Sequence, residues 1–254
     1  MARSPGVIEP RRSDVAISWM LGAVRELRAA FAGERRLLFL TVVGLAFVSV
    51  SGVLVAKLLE DAMGAEGATR ADPVITNWIV GHRPGGLTAA ARAVTHLGDP
   101  WVVAVVAVTT ALLLLLGRQQ RLALLVASST LGAAMASTAA KYAVDRPRPD
   151  RSLWLHDTSG PAFPSGHATQ SIALYAALAV VVIQLSRSRT IRLVVATCAV
   201  LVAATVGASR VYLGVHWTSD VLCGWAVATM WLASLLLFGW AGPHLVIAWR
   251  RRAP

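Results

Sequence analysis

Six uncharged stretches, each closed at both ends by a charged or titratable side chain, constrain this chain more than anything else in it. They run Leu37–Ala56, Pro100–Gly117, Leu122–Ala140, Ala168–Ser186, Leu193–Ser209 and Val221–Trp249. An α-helix rises about 1.5 Å per residue, so about 20 apolar residues cross a hydrocarbon core of about 30 Å. Each stretch fits one crossing, with polar ends extending it. The last is interrupted by "GWAGPH", Gly239 to His244. The third contains "SSTLGAAMAST", whose small residues suit close helix contact rather than lipid exposure.

Composition agrees. Of 254 residues 56% are hydrophobic and 15% charged, with a mean hydropathy of +0.61; soluble domains carry about 25% charged residues. The net charge of +11 sets 24 basic residues, all but two of them arginine, against 13 acids. Such a balance fits either nucleic acid or the cytoplasmic flanks of membrane spans. The arginines cluster at the ends of the apolar runs, which selects the bilayer as partner and excludes nucleic acid. Arg3 to Arg36, Arg118 and Arg121, Arg187 to Arg192, and Arg250 to Arg252 all fall on one side of a six-span chain. The positive-inside rule makes that side cytoplasmic, and the Arg-rich, Lys-poor composition and plain topology fit a plasma (inner) membrane of bacterial type.

The fold class expected is all-α: a polytopic six-transmembrane-helix bundle with an N-terminal amphipathic helix. The segments are a cytoplasmic 1–36, a membrane domain 37–249 and a basic cytoplasmic tail 250–254. Within the first, Trp19, Ala23, Val24, Leu27 and Phe31 recur at helical spacing. Two placements fit them, the inner membrane surface or the cytoplasmic ends of the spans. No cleavable leader is expected, since the first long apolar run begins near residue 37. The outer loop 60–99 predicts a helix capped at Asp72-Pro73, a break at Pro84-Gly85-Gly86 and a second short helix. Cys198 and Cys223 read as packing residues.

Three polar clusters interrupt the apolar pattern: "KYAVDRPRP", "PSGH" and "SRVYLGVHWTSD". Counting one bilayer crossing from the cytoplasmic arginines brings all three to the outer face. Their chemistry converges. Lys141, Arg148 and Arg210 are cations without a matching number of acids, a set suited to phosphate. Ser165 reads as an N-cap, and Gly166 lets the backbone approach a ligand at a helix N-terminus. His216 and Asp220 are four apart and share a helix face. The carboxylate fixes the imidazole tautomer and leaves the other nitrogen free to attack, while His167 lies across the phosphate to protonate the leaving oxygen. Together these residues amount to phosphoryl transfer through a phosphohistidine, with no metal and no cofactor.

Lys141-x6-Arg148-Pro149, Pro164-Ser165-Gly166-His167 and Ser209-Arg210-x5-His216-x3-Asp220 resemble the three signature motifs of the type-2 phosphatidic acid phosphatase superfamily, over roughly residues 72 to 225. The resemblance implies six membrane helices, an outward-facing site and metal-independent dephosphorylation of lipid phosphates. It gives His216 the role of nucleophile, Asp220 its partner and His167 the acid. Lys141, Arg148, Ser165, Gly166 and Arg210 surround the phosphate. "DRPRP" holds two Arg-Pro pairs, and motif spacing selects Arg148 over Arg146.

The expected substrate is first a polyprenyl (undecaprenyl or decaprenyl) diphosphate, then phosphatidic acid or phosphatidylglycerol phosphate. A lipid phosphotransferase is the rival enzyme, and a non-catalytic lipid binder or transporter the rival of another class. Several polar residues are read as structural. Asp145 and Arg146 pair with each other. His82 and His96 are solvated or packed, and His244 is interfacial. Trp154, His156 and Asp157 form either a lid or a plain surface loop. Trp78, Trp101, Trp154 and Trp217 make an aromatic belt, with Trp217 also a candidate substrate contact.

Overall fold

The first apolar stretch stops at Lys57 in the sequence, yet the helix there does not. In a computed structural model, which describes residues 38–39, 41–64 and 66–252 with side chains to 239, α1 runs Thr41–Gly64. Lys57 sits 3.0 Å from Asp61 and 3.1 Å from Glu60, one helical turn on. Asp61 in turn accepts from the amide of Ala68, at 3.0 Å. Internal pairing carries the charges and the helix continues through them. The chain divides into two compact units, residues 1–44 and 45–254. Within the first, only Leu38, Phe39 and residues 41–44 are described, and all are helical. The expected amphipathic helix around Trp19 to Phe31 lies outside the described residues, as do Ala253 and Pro254 of the expected basic tail.

Seven further helices follow among the described residues: α2 Asp72–Gly81, α3 Gly85–Thr95, α4 Pro100–Leu116, α5 Gln120–Val144, α6 Gly166–Leu185, α7 Arg189–Tyr212 and α8 Thr218–Arg252. The described residues contain no strand. Among the described residues five helices are long and apolar enough to cross a membrane: α1, α5, α6, α7 and α8, the last over Thr218–Gly239. The pair α3–α4, bent by 48° between them, reaches the length and apolarity of a crossing only when the two are taken together. The chain is a multi-pass membrane protein. The expected second stretch, from Pro100, is α4, which is long enough for a crossing only together with α3. The bend has a local cause. A residue before proline is pushed out of the helical region, and Asp99 is extended at φ −61, ψ 136.

Two expectations for these helices are corrected. Asp72 does not cap α2; it is the first helical residue, Ala71 holds the cap position, and the Asp72 carboxylate is buried. "GWAGPH" does not interrupt α8, whose backbone is helical from Thr218 to Arg252. The two cysteines also differ: Cys223 is buried, whereas Cys198 is exposed on α7.

Helix α6 is the central element. Ala168, Ala173, Leu174 and Ala177 are fully buried in it, and small side chains there let α5, α7 and α8 come close. Polar groups inside the bundle are satisfied across helices: Ser129 donates to the Ala173 carbonyl at 2.7 Å and the Trp231 indole to Ser128 at 2.8 Å. The α6–α8 approach is close at Gly224, where a Cβ would sit 2.8 Å from the Ser165 carbonyl. That approach lets the Ser165 amide donate to the Asp220 carbonyl at 3.0 Å, so the starts of α6 and α8 are tied together. Between α7 and α8 the chain turns at Gly214, with φ +75, where a side chain would also strike Leu153.

Candidate active site

The ends of five helices meet at one end of the bundle. Lys141 lies in the last turn of α5 and Arg210 in that of α7, while Gly166 and His167 open α6, Asp220 lies in the first turn of α8, and Pro100 starts α4. A cavity of about 310 Å³ opens there, lined by Pro100, Lys141, Gly166 and His167 among others. Five residues expected from sequence line it: Lys141, Arg148, Gly166, His167 and His216.

His216 is buried, and its two ring nitrogens have different neighbours. Nδ1 lies 3.3 Å from Asp220 Oδ2, and Nε2 lies 3.1 Å from Arg148 Nη1. A guanidinium only donates, so Nε2 carries the lone pair and Nδ1 the proton. Burial, followed by the positive charges of Arg148, Arg210 and Lys141, pushes the His216 pKa well below the ordinary histidine value. The imidazole is the free base at neutral pH, with its lone pair at the cavity.

The cations are held by backbone. After α5, Asp145 takes a left-handed conformation at φ 43 and turns the chain. Arg146 and Arg148 each precede a proline, which keeps the loop extended. Arg148 donates to the carbonyls of Gly160, Ser159 and Val215 at 2.9, 3.0 and 2.7 Å. Lys141 donates to Pro161 at 2.7 Å. The indoles of Trp217 and Trp154 donate to Pro147 and Pro149, both at 2.9 Å. Trp217 thus braces the loop that carries the arginines and is not among the cavity-lining residues. Trp78 and Trp101 are exposed, as a boundary belt requires.

Ser165, Arg210 and Asp220 stand behind the cavity wall. Ser165 occupies the N-cap position of α6 but makes no capping bond; its hydroxyl is buried without a partner. Arg210 is buried and donates to Thr95 Oγ1 at 2.8 Å, leaving its Nε unpartnered. Buried donors without partners are uncommon, and these two flank the α6 N-terminus, whose first amides have no intrahelical acceptor.

Four features were missed in the sequence. Asp99 accepts from His167 Nε2 at 2.8 Å with one oxygen and meets His96 Nδ1 at 2.7 Å with the other. Arg146 does not pair with Asp145: it bridges Asp220 at 2.7 Å and Asp72 at 2.8 Å. Asp72 also accepts from the Ser219 amide at 3.0 Å and from its hydroxyl. Finally, Ser137, Thr138 and Gln170 line the cavity. The first two stand four and three residues before Lys141, on one face of α5, and that spacing was the available signal. The loop around Trp154 is anchored at both sides, by Arg83 to Leu153 at 2.9 Å and by the Leu155 amide to Leu213 at 2.9 Å. His156 packs edge-on to His96 with centroids 6.1 Å apart, and His82 stacks on Trp78.

Comparison with known proteins follows the same map. Residues 122–242 match the model of the PAP2 superfamily. This part of the chain is a PAP2 superfamily domain. All the motif residues lie within it, and Asp72 and Asp99 pack against it from outside. Phosphatidylglycerophosphatase B of Bacillus subtilis (strain 168) is 28% identical over 185 residues, 71% of this chain and 89% of that protein. The crystal structure of a transmembrane PAP2-type phosphatidylglycerolphosphate phosphatase from Bacillus subtilis superposes with a TM-score of 0.67 at 25% identity, over 77% of this chain and 94% of that one. Aquifex aeolicus LpxE shares the fold, with a TM-score of 0.53 at 18% identity over 65% of this chain and 94% of that one. The chain is a membrane-embedded hydrolase of the phosphatase class.

Proposed function

We propose that this enzyme hydrolyses the phosphomonoester of a membrane glycerolipid through a phosphohistidine at His216. The observation that carries this reading is the asymmetric clamp on His216, with Asp220 on Nδ1 and a cationic cavity at Nε2. Nε2 attacks phosphorus as the bond to the lipid oxygen breaks. His167, held by Asp99, gives its proton to that oxygen. Water then attacks the phosphoimidazole, His167 takes a proton from it, and inorganic phosphate leaves. Lys141 and Arg148 at the cavity neutralise the equatorial oxygens; Arg210, Ser165 and the α6 amides lie behind them as further donors. Side-chain cations do here what a metal does in other phosphatases.

Similarity to phosphatidylglycerophosphatase B over most of both chains supports phosphatidylglycerol phosphate as the substrate class. It favours that class over the polyprenyl diphosphate expected first from sequence. The arginines at the far end of the bundle, Arg118, Arg121, Arg187, Arg189 and Arg192, support an outward-facing cavity in a plasma membrane. Purified enzyme in mixed micelles, with EDTA, should release inorganic phosphate from phosphatidylglycerol phosphate faster than from phosphatidic acid or a polyprenyl diphosphate, and His216→Ala should release none. Activity lost to EDTA and restored by a divalent metal would overturn the metal-free reading. Phosphate passed to an added alcohol acceptor instead of water would make the chain a transferase, and binding without turnover would make it a lipid carrier.

A further inference from the structure

The two Arg-Pro pairs of "DRPRP" hold opposite ends of one hydrogen-bonded pair. Arg148 touches His216 at Nε2, the attacking nitrogen. Arg146, two residues earlier, touches Asp220 at Oδ1, the oxygen turned away from the histidine. Asp220 Oδ2 is left to face His216 Nδ1 and to accept the Trp217 amide at 2.8 Å. Both oxygens of this carboxylate are thereby assigned to named partners, on the loop after α5 and on the turn before α8.

Arg146 is itself held from behind. Its second nitrogen pairs with Asp72 on α2, and Asp72 also fixes Ser219, the neighbour of Asp220. The Ser219 hydroxyl accepts from Arg146 at 2.7 Å. Side-chain exposure is 2% for Asp72, 0% for Asp220 and 10% for Arg146. One guanidinium thus serves two buried carboxylates. A planar fork with five fixed donors fits that task, and an ammonium does not. Neither Arg146 nor Asp72 is among the cavity-lining residues, and the Arg146 Nη nitrogens are engaged by Ser219, Asp220 and Asp72 rather than left for phosphate.

We infer that Arg146 is a positioning residue: braced by Asp72, it locks the Asp220 carboxylate against His216 and thereby sets the nucleophile. This inference rests on His216 being the nucleophile. Without Arg146 the Oδ1 oxygen loses its donor, and the carboxylate is free to turn away from Nδ1. The consequence falls on the chemical step, since phosphate still finds Lys141 and Arg148 in place.

The test compares Arg146→Gln, Arg146→Lys and the charge-balanced double variant Asp72→Asn/Arg146→Gln with wild type in detergent. Steady-state kinetics on phosphatidylglycerol phosphate is read beside the inhibition constant for inorganic phosphate, which reports an intact cavity. Arg146→Gln should lower kcat about 10²-fold, less than the ~10⁴-fold that follows loss of an orienting carboxylate's function elsewhere. KM and the phosphate inhibition constant should stay within about threefold, because only the chemical step is affected. Arg146→Lys should recover part of the loss, since an ammonium reaches one carboxylate. The double variant removes one positive and one negative charge together, which guards against simple misfolding, and should remain as slow as Arg146→Gln. Recovery of wild-type kcat in the double variant would show that Arg146 merely neutralises Asp72, and the inference would be wrong. A weakened phosphate inhibition constant with normal kcat would equally overturn it, by making Arg146 a phosphate ligand. Failure of the underlying reading looks different: His216→Ala would then retain activity.

Discussion

The cavity is faced by two histidines, each paired with an aspartate, and the pairs differ in depth. His216 and Asp220 are 2% and 0% exposed, and Arg146 closes the network behind them. His167 and Asp99 are each 16% exposed, and behind them His96 is 56% exposed. One pair ends in an arginine 10% exposed and the other in a group open to solvent. A nucleophile benefits from a fixed tautomer and an excluded water shell. A general acid and base must exchange a proton within each turnover, and a partner leading outward serves that exchange. On the proposed mechanism, depth and the Arg148 contact at His216 Nε2 separate the two roles.

Mutations should break the pairs unequally. His216→Ala should lower kcat by about 10⁶-fold, as loss of a nucleophile does, and Asp220→Asn by about 10⁴-fold. The check is phosphate release under saturating lipid. His167→Ala should cost about 10²–10⁴-fold on a lipid alkoxide leaving group and far less on an aryl phosphate, which leaves without a proton. Equal losses on both leaving groups would reverse the assignment of the acid. Asp99→Asn keeps the size of the partner but not its charge, and should cost no more than the about 10²–10⁴-fold of losing His167 itself.

The buried nucleophile should also show itself on titration. Burial and the neighbouring cations lower the His216 pKa, so the folded protein binds that proton only at a pH below the ordinary histidine value of about 6.5. The unfolded chain binds it near that value. Folding is therefore unaffected by this group at higher pH and loses stability as pH falls below it. Ring-nitrogen NMR of labelled histidine, assigned by difference with His216→Ala, should show the neutral form persisting through about pH 6. Arg148→Gln removes the nearest cation and should move the transition back up. A wild-type transition at or above about 6.5 would contradict the burial argument.

Smaller effects test how the cavity meets the bilayer. A cysteine at Ser152 should react with an impermeant reagent outside intact cells, and one at Ser188 should not. Among lipids of one headgroup, efficiency should rise with tail length chiefly through KM, because the tail is bound alike in ground and transition states. The comparison is made at fixed surface fraction in mixed micelles. Equal efficiency for tailless and long-tailed phosphates would point to a water-soluble phosphoester.

Much of this was readable in the chain. Charges at the ends of apolar runs are costly unless they have work to do, so Lys141, Arg148, His167, Arg210, His216 and Asp220 stood out. Spacing along the spans brought them to one end. The supporting residues left weaker marks. Asp72, Asp99 and Arg146 act through contacts spanning 68 to 74 positions, and no local period announces such a contact. Arg146 was further masked by the nearer acid Asp145. The bend before α4 was marked by Pro100, but the pairing of α3 with α4 depends on packing. Lys57 and Asp61 hid the end of α1 because they pair within one turn, where a charge count sees only a boundary.

The depth comparison comes down to which histidine carries the phosphoryl group. A rapid-quench single turnover with an aryl phosphate labelled with radioactive phosphorus, in the His167→Ala enzyme, tests this directly, because its leaving group needs no proton while breakdown of the phosphohistidine lacks its base. Alkali-stable, acid-labile label should accumulate on the peptide containing His216 before phosphate appears in solution. Label on any other residue, or phosphate released with no labelled enzyme at any time, would contradict the account.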